Sequence, residues 1–227
     1  MSVAQRIISL VWIAVHIALI PFLLTRFTAF NELSSGKQNL LWYVVSTVCL
    51  VIINFTFLRR DFDTILDNIG KVFFEILTCY VIIFAFDMII SGLLSMYMSA
   101  TGADVTFANQ NNENIMSQSQ QESGMVTACA IFLAPIAEEL MFRGGLFGTL
   151  RKWNRVVAYI VTIAAFSVYH VWSYAISDPT YWIYALQYIP ISFILCRCYE
   201  RTNTIWGNIL FHMSWNAITL SFLNALA

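Results

Sequence analysis

Seven long apolar runs constrain this chain more than any other feature of its sequence. They are Ile7–Leu24, Leu40–Leu58, Val72–Met98, Met125–Phe142, Val156–Ile176, Tyr181–Tyr199 and Ile205–Ala225. A helix crosses about 30 Å of hydrocarbon with roughly 20 apolar residues. Only 11% of the residues are charged, against about 25% in soluble domains, so the chain lacks the polar surface to face water on all sides. The sequence predicts an all-α, polytopic membrane bundle of about seven helices, or eight if 144–153 re-enters the membrane.

Composition divides the chain into three parts. Residues 1–100 hold transmembrane runs that contain no recognisable motif, and residues 125–227 hold the runs with polar residues inside them. Residues 101–124 form a polar connecting loop in this interpretation, because they are rich in Asn, Gln and Ser and contain no Lys or Arg. Five cysteines fall in apolar runs without a CxxC pair, which favours small buried side chains over a redox or metal role.

The distribution of Lys and Arg predicts the orientation. With the N-terminus inside and seven crossings, the outer segments hold only Arg26 and Lys37. The cytoplasmic segments hold Arg6, Arg59, Arg60, Lys71, Arg151, Lys152, Arg155, Arg197 and Arg201. Because basic residues are retained in the cytoplasm, we expect the N-terminus inside and the C-terminus outside, in a cell membrane. The small size indicates a bacterial plasma membrane, and the net charge of −1 argues against a nucleic-acid partner.

The fourth run contains two adjacent carboxylates, Glu138 and Glu139, and ends in Arg143 followed by two glycines. Ionisable groups inside a membrane are costly and indicate function. Glu139 and Arg143 are four residues apart and lie on one helix face, which suits a salt bridge. Glu138 points in another direction and has no neighbour on its own helix, so it is a candidate general base. We expect the Gly144-Gly145 pair to mark a helix break, a helix end or a close backbone approach.

The fifth and seventh runs contain further polar groups at helical spacing. Phe166 and His170 are four residues apart, as are His212 and Asn216. With Glu138, these residues supply a base, imidazoles that can orient or share a proton, and donors for an oxyanion. Two histidines and a glutamate also match known zinc ligand sets. The absence of an HExxH pair favours activation of water without a metal, so no cofactor is expected and zinc is the alternative.

The ordered set Glu138-Glu139-x-x-x-Arg143, Phe166-x-x-x-His170 and His212-x-x-x-Asn216 resembles the three motifs of the CPBP family. This family contains CAAX-processing and bacteriocin-processing intramembrane proteases and is also called Abi. The resemblance covers Met125 to Ala225 and implies an intramembrane endopeptidase of glutamate type. It implies that Glu138 and His170 activate a water, that His212 and Asn216 steady the oxyanion, and that Glu139 and Arg143 hold the geometry.

The resemblance implies that the substrate is a peptide or protein in or at the membrane. Bacteriocins, pheromones, leader peptides and CAAX-like proteins are the candidate classes, and the oligomeric state stays open. Two other functions compete with proteolysis. One is a non-catalytic immunity or binding protein of the same fold, and the other is a proton-coupled transporter, because carboxylates and histidines also form proton relays.

Overall fold

The computed structural model describes residues 1–102 and 110–226, and every long regular element in these ranges is a helix. Seven long helices form the bundle: α1 Val3–Leu24, α2 Ser35–Asp67, α3 Ile69–Thr101, α4 Gly124–Leu150, α5 Arg155–Ala175, α6 Ala185–Thr202 and α7 Ile205–Leu226. Each predicted run corresponds to one of them. The all-α prediction is confirmed.

Five of these helices, α1 to α5, are long and apolar enough to cross a membrane. Their large apolar side chains point outward, as in helices that face lipid: Val11, Val81 and Met88 are 56%, 72% and 77% exposed. The helices α6 and α7 are not among these five, and both contain polar residues along their length, such as Arg197 in α6 and His212 in α7. The chain is therefore a multi-pass membrane protein.

Helix α4 differs from its prediction because it does not end at Phe142. It continues through Gly144 and Gly145 to Leu150, so 144–153 is an extension of α4 and a turn, and it forms no eighth span. The glycines allow a close approach instead of a break. A Cβ on Gly145 would lie 2.9 Å from the backbone nitrogen of Leu10 in α1. Small residues at such contacts let membrane helices pack closely.

The predicted polar loop at 101–124 also differs from its expectation. Helix α3 runs to Thr101, and Gln110–Thr127 is helical on both sides of a kink at Glu122 (φ −142°, ψ 52°). Asn114 donates to the Tyr174 hydroxyl at 2.9 Å, and Ser34 donates to Glu122 at 2.7 Å. This helical segment therefore rests on α2 and α5 at one end of the bundle.

Three π-helical segments interrupt α1 and α4: Val15–Leu19, Ala128–Leu133 and Glu139–Phe147. Pro21 and Pro135 follow the first two. Because proline lacks an N–H, the ordinary hydrogen-bond pattern cannot close one turn before it. The π segment before Pro21 lets the first helix continue to Leu24. Such segments are frequent at functional sites.

A carboxylate from α2 fixes the start of α7. Asp61 accepts hydrogen bonds from the Thr204 hydroxyl at 2.6 Å and from the Ile205 N–H at 2.7 Å. The first N–H groups of a helix have no partner within it, and a negative charge there is favourable. This cap fixes the N-terminal end of α7, and His212 lies two turns further along the same helix.

Candidate active site

Glu138 of α4, His170 of α5 and His212 of α7 converge at the centre of the bundle. The Oε2 atom of Glu138 lies 3.9 Å from Nε2 of His170 and 3.9 Å from Nε2 of His212. Both distances are too long for direct hydrogen bonds. Three polar atoms from three helices therefore surround one small volume.

Glu139 is fully buried and connects α4 with α7. Its Oε1 accepts from Nδ1 of His212 at 2.8 Å and from Nη1 of Arg143 at 3.0 Å. Its Oε2 accepts from the side chain of Asn208. The predicted contact with Arg143 is present. The bond to His212 also fixes the ring so that its other nitrogen points to Glu138, an effect that the sequence did not suggest.

Arg143 is fully buried and connects α4 with two further helices. Its Nη2 donates to the backbone carbonyl and hydroxyl of Ser192 in α6, at 3.3 and 3.2 Å. Its guanidinium carbon lies 4.3 Å from the ring centroid of Phe166. A buried cation needs such hydrogen-bond and aromatic partners, and Arg143 thereby joins α4, α5 and α6 behind the site.

The orientation of His170 follows from its neighbours. Its Nδ1 lies 2.9 Å from the carbonyl oxygen of Phe166, which can only accept, so Nδ1 carries the proton. In the neutral ring, Nε2 then presents a lone pair towards Glu138. The ring is held between Phe166, at a centroid distance of 4.4 Å, and Tyr188, which stacks on it at 4.3 Å.

Asn216 lies one turn beyond His212 on α7 and lines the same cavity. Its side-chain amide donates to the carbonyl of Ala130 at 2.9 Å, within the π segment Ala128–Leu133. A carboxamide has two N–H donors, so one remains for a ligand. The structure thus brings the seven predicted residues to one region of the bundle.

The sequence interpretation missed a group of polar residues that lie mostly on the N-terminal helices α1 and α2. The Tyr43 hydroxyl donates to Oε1 of Glu138 at 3.4 Å and lies 2.8 Å from the Tyr169 hydroxyl. The Tyr169 hydroxyl lies 3.0 Å from Nε2 of His16, whose Nδ1 lies 2.9 Å from the Ser46 hydroxyl. His16 is fully buried. Its presence in an apolar run was the signal that could have found this group.

The donor and acceptor capacities of these side chains determine the direction of each hydrogen bond in the group. Because a carboxylate only accepts, Tyr43 donates to Glu138, and Tyr169 then donates to Tyr43. Tyr169 in turn accepts from Nε2–H of His16, whose Nδ1 accepts from Ser46. The indole of Trp12 donates to Ser46 at 2.9 Å. We call these five residues the donor chain: Trp12, Ser46, His16, Tyr169 and Tyr43. It ends on the oxygen of Glu138 that does not face the histidines.

A cavity of about 650 Å³ opens onto these groups. Its walls include Tyr43, Glu138, His170, His212 and Asn216, and the rest of the lining is mostly apolar or aromatic. Binding sites typically have this size and combine apolar walls with a few polar groups. The cavity can therefore hold several residues of a peptide chain beside Glu138.

The donor set can be compared with the requirements of zinc. Adjacent ligands at 2.0–2.1 Å from a tetrahedral zinc ion lie about 3.3 Å apart, whereas Glu138 is 3.9 Å from each imidazole nitrogen. Among the described residues, no group of three or more His, Cys, Asp or Glu side chains has a metal-binding arrangement. As arranged, the three groups are therefore spaced more widely than the ligands of a tetrahedral zinc ion.

The chain has recognisable relatives among known proteins. A family model described as "Type II CAAX prenyl endopeptidase Rce1-like" matches residues 120–218. UPF0177 protein YvdC of Lactococcus lactis is 24% identical over 216 residues, which cover 92% of this chain and 76% of the relative. "Putative membrane peptidase YdiL" of Bacillus subtilis is 26% identical over 187 residues, which cover 79% of this chain and 70% of that protein. No solved structure matches.

Proposed function

We propose that this chain is a glutamate-type endopeptidase of the membrane. The match of the Rce1-like family model to residues 120–218 confirms the resemblance to the CPBP family. At the family level the chain is similar to CAAX-type membrane proteases. The convergence of Glu138 with His170 and His212 inside a cavity is the observation that carries the proposal. The substrate is a peptide, or a segment of a membrane-associated protein, that extends into this cavity.

The first step is the activation of a water molecule between Glu138 and the histidines. Glu138 takes a proton from the water, while the lone pair on Nε2 of His170 accepts the second O–H and orients the oxygen. The water oxygen then bonds to the carbonyl carbon of the scissile peptide, and the carbonyl π electrons move onto its oxygen. A general base contributes about 10²–10⁴-fold to such a step.

The negative oxygen of the tetrahedral intermediate needs hydrogen-bond donors. The N–H of Asn216 that is not bonded to Ala130 is one donor. His212 can donate from Nε2 only as the imidazolium, because its Nδ1 proton already bonds to Glu139. Glu138 then passes its proton to the peptide nitrogen, the C–N bond breaks, and the products are a carboxylic acid and an amine. The remaining proton of the water then leaves the acid for the amine or the solvent, which gives the carboxylate.

The test uses the full chain purified in detergent and a complex peptide library whose cleavage is read by mass spectrometry. We expect cleavage by the unmodified chain and a loss of at least about 100-fold for Glu138→Gln, at unchanged folded yield. Cleavage should persist in EDTA or phenanthroline. Inactivation by a chelator with rescue by zinc would support the metal alternative. Products that form equally with Glu138→Gln would contradict the endopeptidase proposal and favour a binding role.

We propose further that the N-terminus is cytoplasmic and the C-terminus external in a bacterial plasma membrane. The distribution of Lys and Arg supports this orientation, and ion pairs show which helix ends lie on the same side. Arg155 bonds Glu200 at one end, and Lys37 lies 3.8 Å from Glu122 at the other. Cysteine introduced at the exposed Asn31 should react with a membrane-impermeant thiol reagent in intact cells, whereas cysteine at Asn154 should react only after lysis. The reverse pattern would overturn the orientation.

A further inference from the structure

The cavity next to Glu138 has an unbalanced charge. Among its lining residues in the described ranges, the carboxylates are Asp87 and Glu138, and none is a Lys or an Arg. Glu138 is assigned to the chemical step above. Asp87 lies on α3, which contributes no residue to the catalytic motifs. The chemical step therefore does not explain why a carboxylate lines the cavity at this position.

Asp87 differs from the other acidic residue of α3. Glu75 lies 3.3 Å from Arg197 and 3.6 Å from Arg201, so its charge is paired within the protein. Asp87 lies twelve residues further along, about 18 Å along the helix axis, in the middle of an apolar sequence. Within the part of the chain that the structure describes, it has no hydrogen-bond or ion-pair partner.

The position of Asp87 directs it to the cavity and away from lipid. Ser91, four residues later and on the same helix face, also lines the cavity, as does Ile90 between them. Side chains elsewhere around this part of α3, such as Met88 and Ile89, are 77% and 56% exposed and face outward. The polar face of α3 therefore forms a wall of the cavity, and its apolar faces form the outer surface.

Asp87 also lies near the depth of the catalytic groups. His170 is 15 residues from the start of α5, and Asp87 is 18 residues from the start of α3 at the same end of the bundle. At 1.5 Å per residue these positions differ by about one helical turn. An extended peptide covers about 3.3–3.6 Å per residue, so a group bound by Asp87 belongs to a residue close to the scissile bond.

An unpaired carboxylate inside a membrane is costly and calls for a functional partner. We propose that Asp87 binds a cationic group of the peptide substrate, so that the enzyme selects peptides with a positive charge near the cleaved bond. The cation is a Lys or Arg side chain or the free amino terminus of the peptide. This inference rests on the proposed endopeptidase function and specifies the class of its substrate.

The experiment compares cleavage-site profiles of the unmodified chain and Asp87→Asn, using the peptide library. Among the cleaved peptides, we expect about fivefold enrichment of those with Lys or Arg, or a free amino terminus, within six residues of the cleaved bond. Fivefold is the ratio that one ion pair of about 1 kcal/mol provides. Asp87→Asn should still cleave but without this enrichment. The matched control is Asp63→Asn, the same change at an exposed position of α2, which should keep the enrichment.

A second library with acetylated amino termini separates the two sources of charge. Enrichment that survives acetylation assigns the cation to a side chain, and enrichment that disappears assigns it to the terminus. Cleavage without enrichment, or enrichment that Asp87→Asn retains, would overturn this inference and leave the endopeptidase proposal intact. An absence of Glu138-dependent products would instead contradict the endopeptidase proposal itself.

Discussion

The N-terminal helices α1 to α3 and the C-terminal helices α4 to α7 divide the work of this protein unequally. In the most apolar stretch of α3, 11% of the residues are buried inside the protein, whereas 56% of the residues in the most apolar stretch of α4 are buried. The helices α4, α5 and α7 provide Glu138, His170 and His212, while the first three helices mostly present apolar side chains outward. Yet four of the five residues of the donor chain that reaches Glu138 lie on α1 and α2, and Asp87 lines the cavity from α3. A part of the chain without catalytic motifs can therefore still position and select.

The largest expected difference between the two parts concerns buried charge. Arg143→Ala leaves Glu139 without its cation in a fully buried position, and loss of one partner of a buried pair typically costs about 3–5 kcal/mol. We expect a large decrease in the free energy of unfolding, measured by denaturation in mixed micelles. Lys37→Ala removes the partner of Glu122 in the N-terminal part, where the lysine side chain is 48% exposed, and should cost at most about 1 kcal/mol.

A double variant tests the reason for this effect. Glu139→Gln with Arg143→Met removes both charges and keeps side chains of similar length, so it should unfold at a higher denaturant concentration than Arg143→Ala alone. Equal destabilisation by Arg143→Ala and Lys37→Ala would remove the energetic contrast between the two parts of the chain.

The sequence predicted the seven helices and the pairs at four-residue spacing, because both depend on local periodicity. It placed the end of α4 at Phe142, since Arg143 and two glycines interrupt the apolar run. Packing against α1 and the partners of Arg143 extend that helix to Leu150. If α4 ended at Phe142 and the helices stood upright, Glu138 and His170 would differ by more than about 10 Å in their depth in the membrane. The extension of α4 to Leu150 brings the two residues to similar depths.

Other features of the structure could not be predicted from local sequence patterns. The donor chain joins His16 to Tyr169, which are 153 positions apart, and no periodicity connects them. The π segments shift the side chains of α1 and α4 relative to an ordinary helix, and the spacing of apolar residues does not reveal that shift. The proximity of Asp87 to the catalytic groups likewise depends on how α3 packs.

A smaller effect tests how closely the two parts are packed. Gly145→Ala adds a Cβ that would lie 2.9 Å from the backbone nitrogen of Leu10, so α1 and α4 must move apart. We expect a loss of about 1–3 kcal/mol, typical of overpacking, in the same unfolding measurement. Gly92→Ala on α3 is the matched control, because its Cβ would meet nothing within 4 Å. A neutral Gly145→Ala would show that the contact between α1 and α4 contributes little.

The smallest expected effect concerns the contribution of the N-terminal helices to the rate. Tyr43→Phe removes the hydroxyl that donates to Glu138 and should reduce kcat about tenfold, equivalent to about 1.4 kcal/mol, with little change in KM. Its bond to Glu138 is long, at 3.4 Å, so the effect lies at the low end for a hydrogen bond to a charged group. Tyr80→Phe is the matched control, since its hydroxyl bonds Ser214 at 2.5 Å and should leave kcat unchanged.

Variants of His16 test whether the donor chain acts as a unit. His16→Leu interrupts the chain and should reduce kcat by at most the amount lost in Tyr43→Phe, whereas His16→Gln places an amide donor near the position of Nε2 and should restore part of the rate. Residues of one hydrogen-bonded network are not additive. The double variant His16→Leu with Tyr43→Phe should therefore be no slower than Tyr43→Phe alone, because the contact with Glu138 is already lost. A rate reduced by the product of the two single effects would mean that His16 does not act through Tyr43, and that α1 affects the rate by another route than the donor chain.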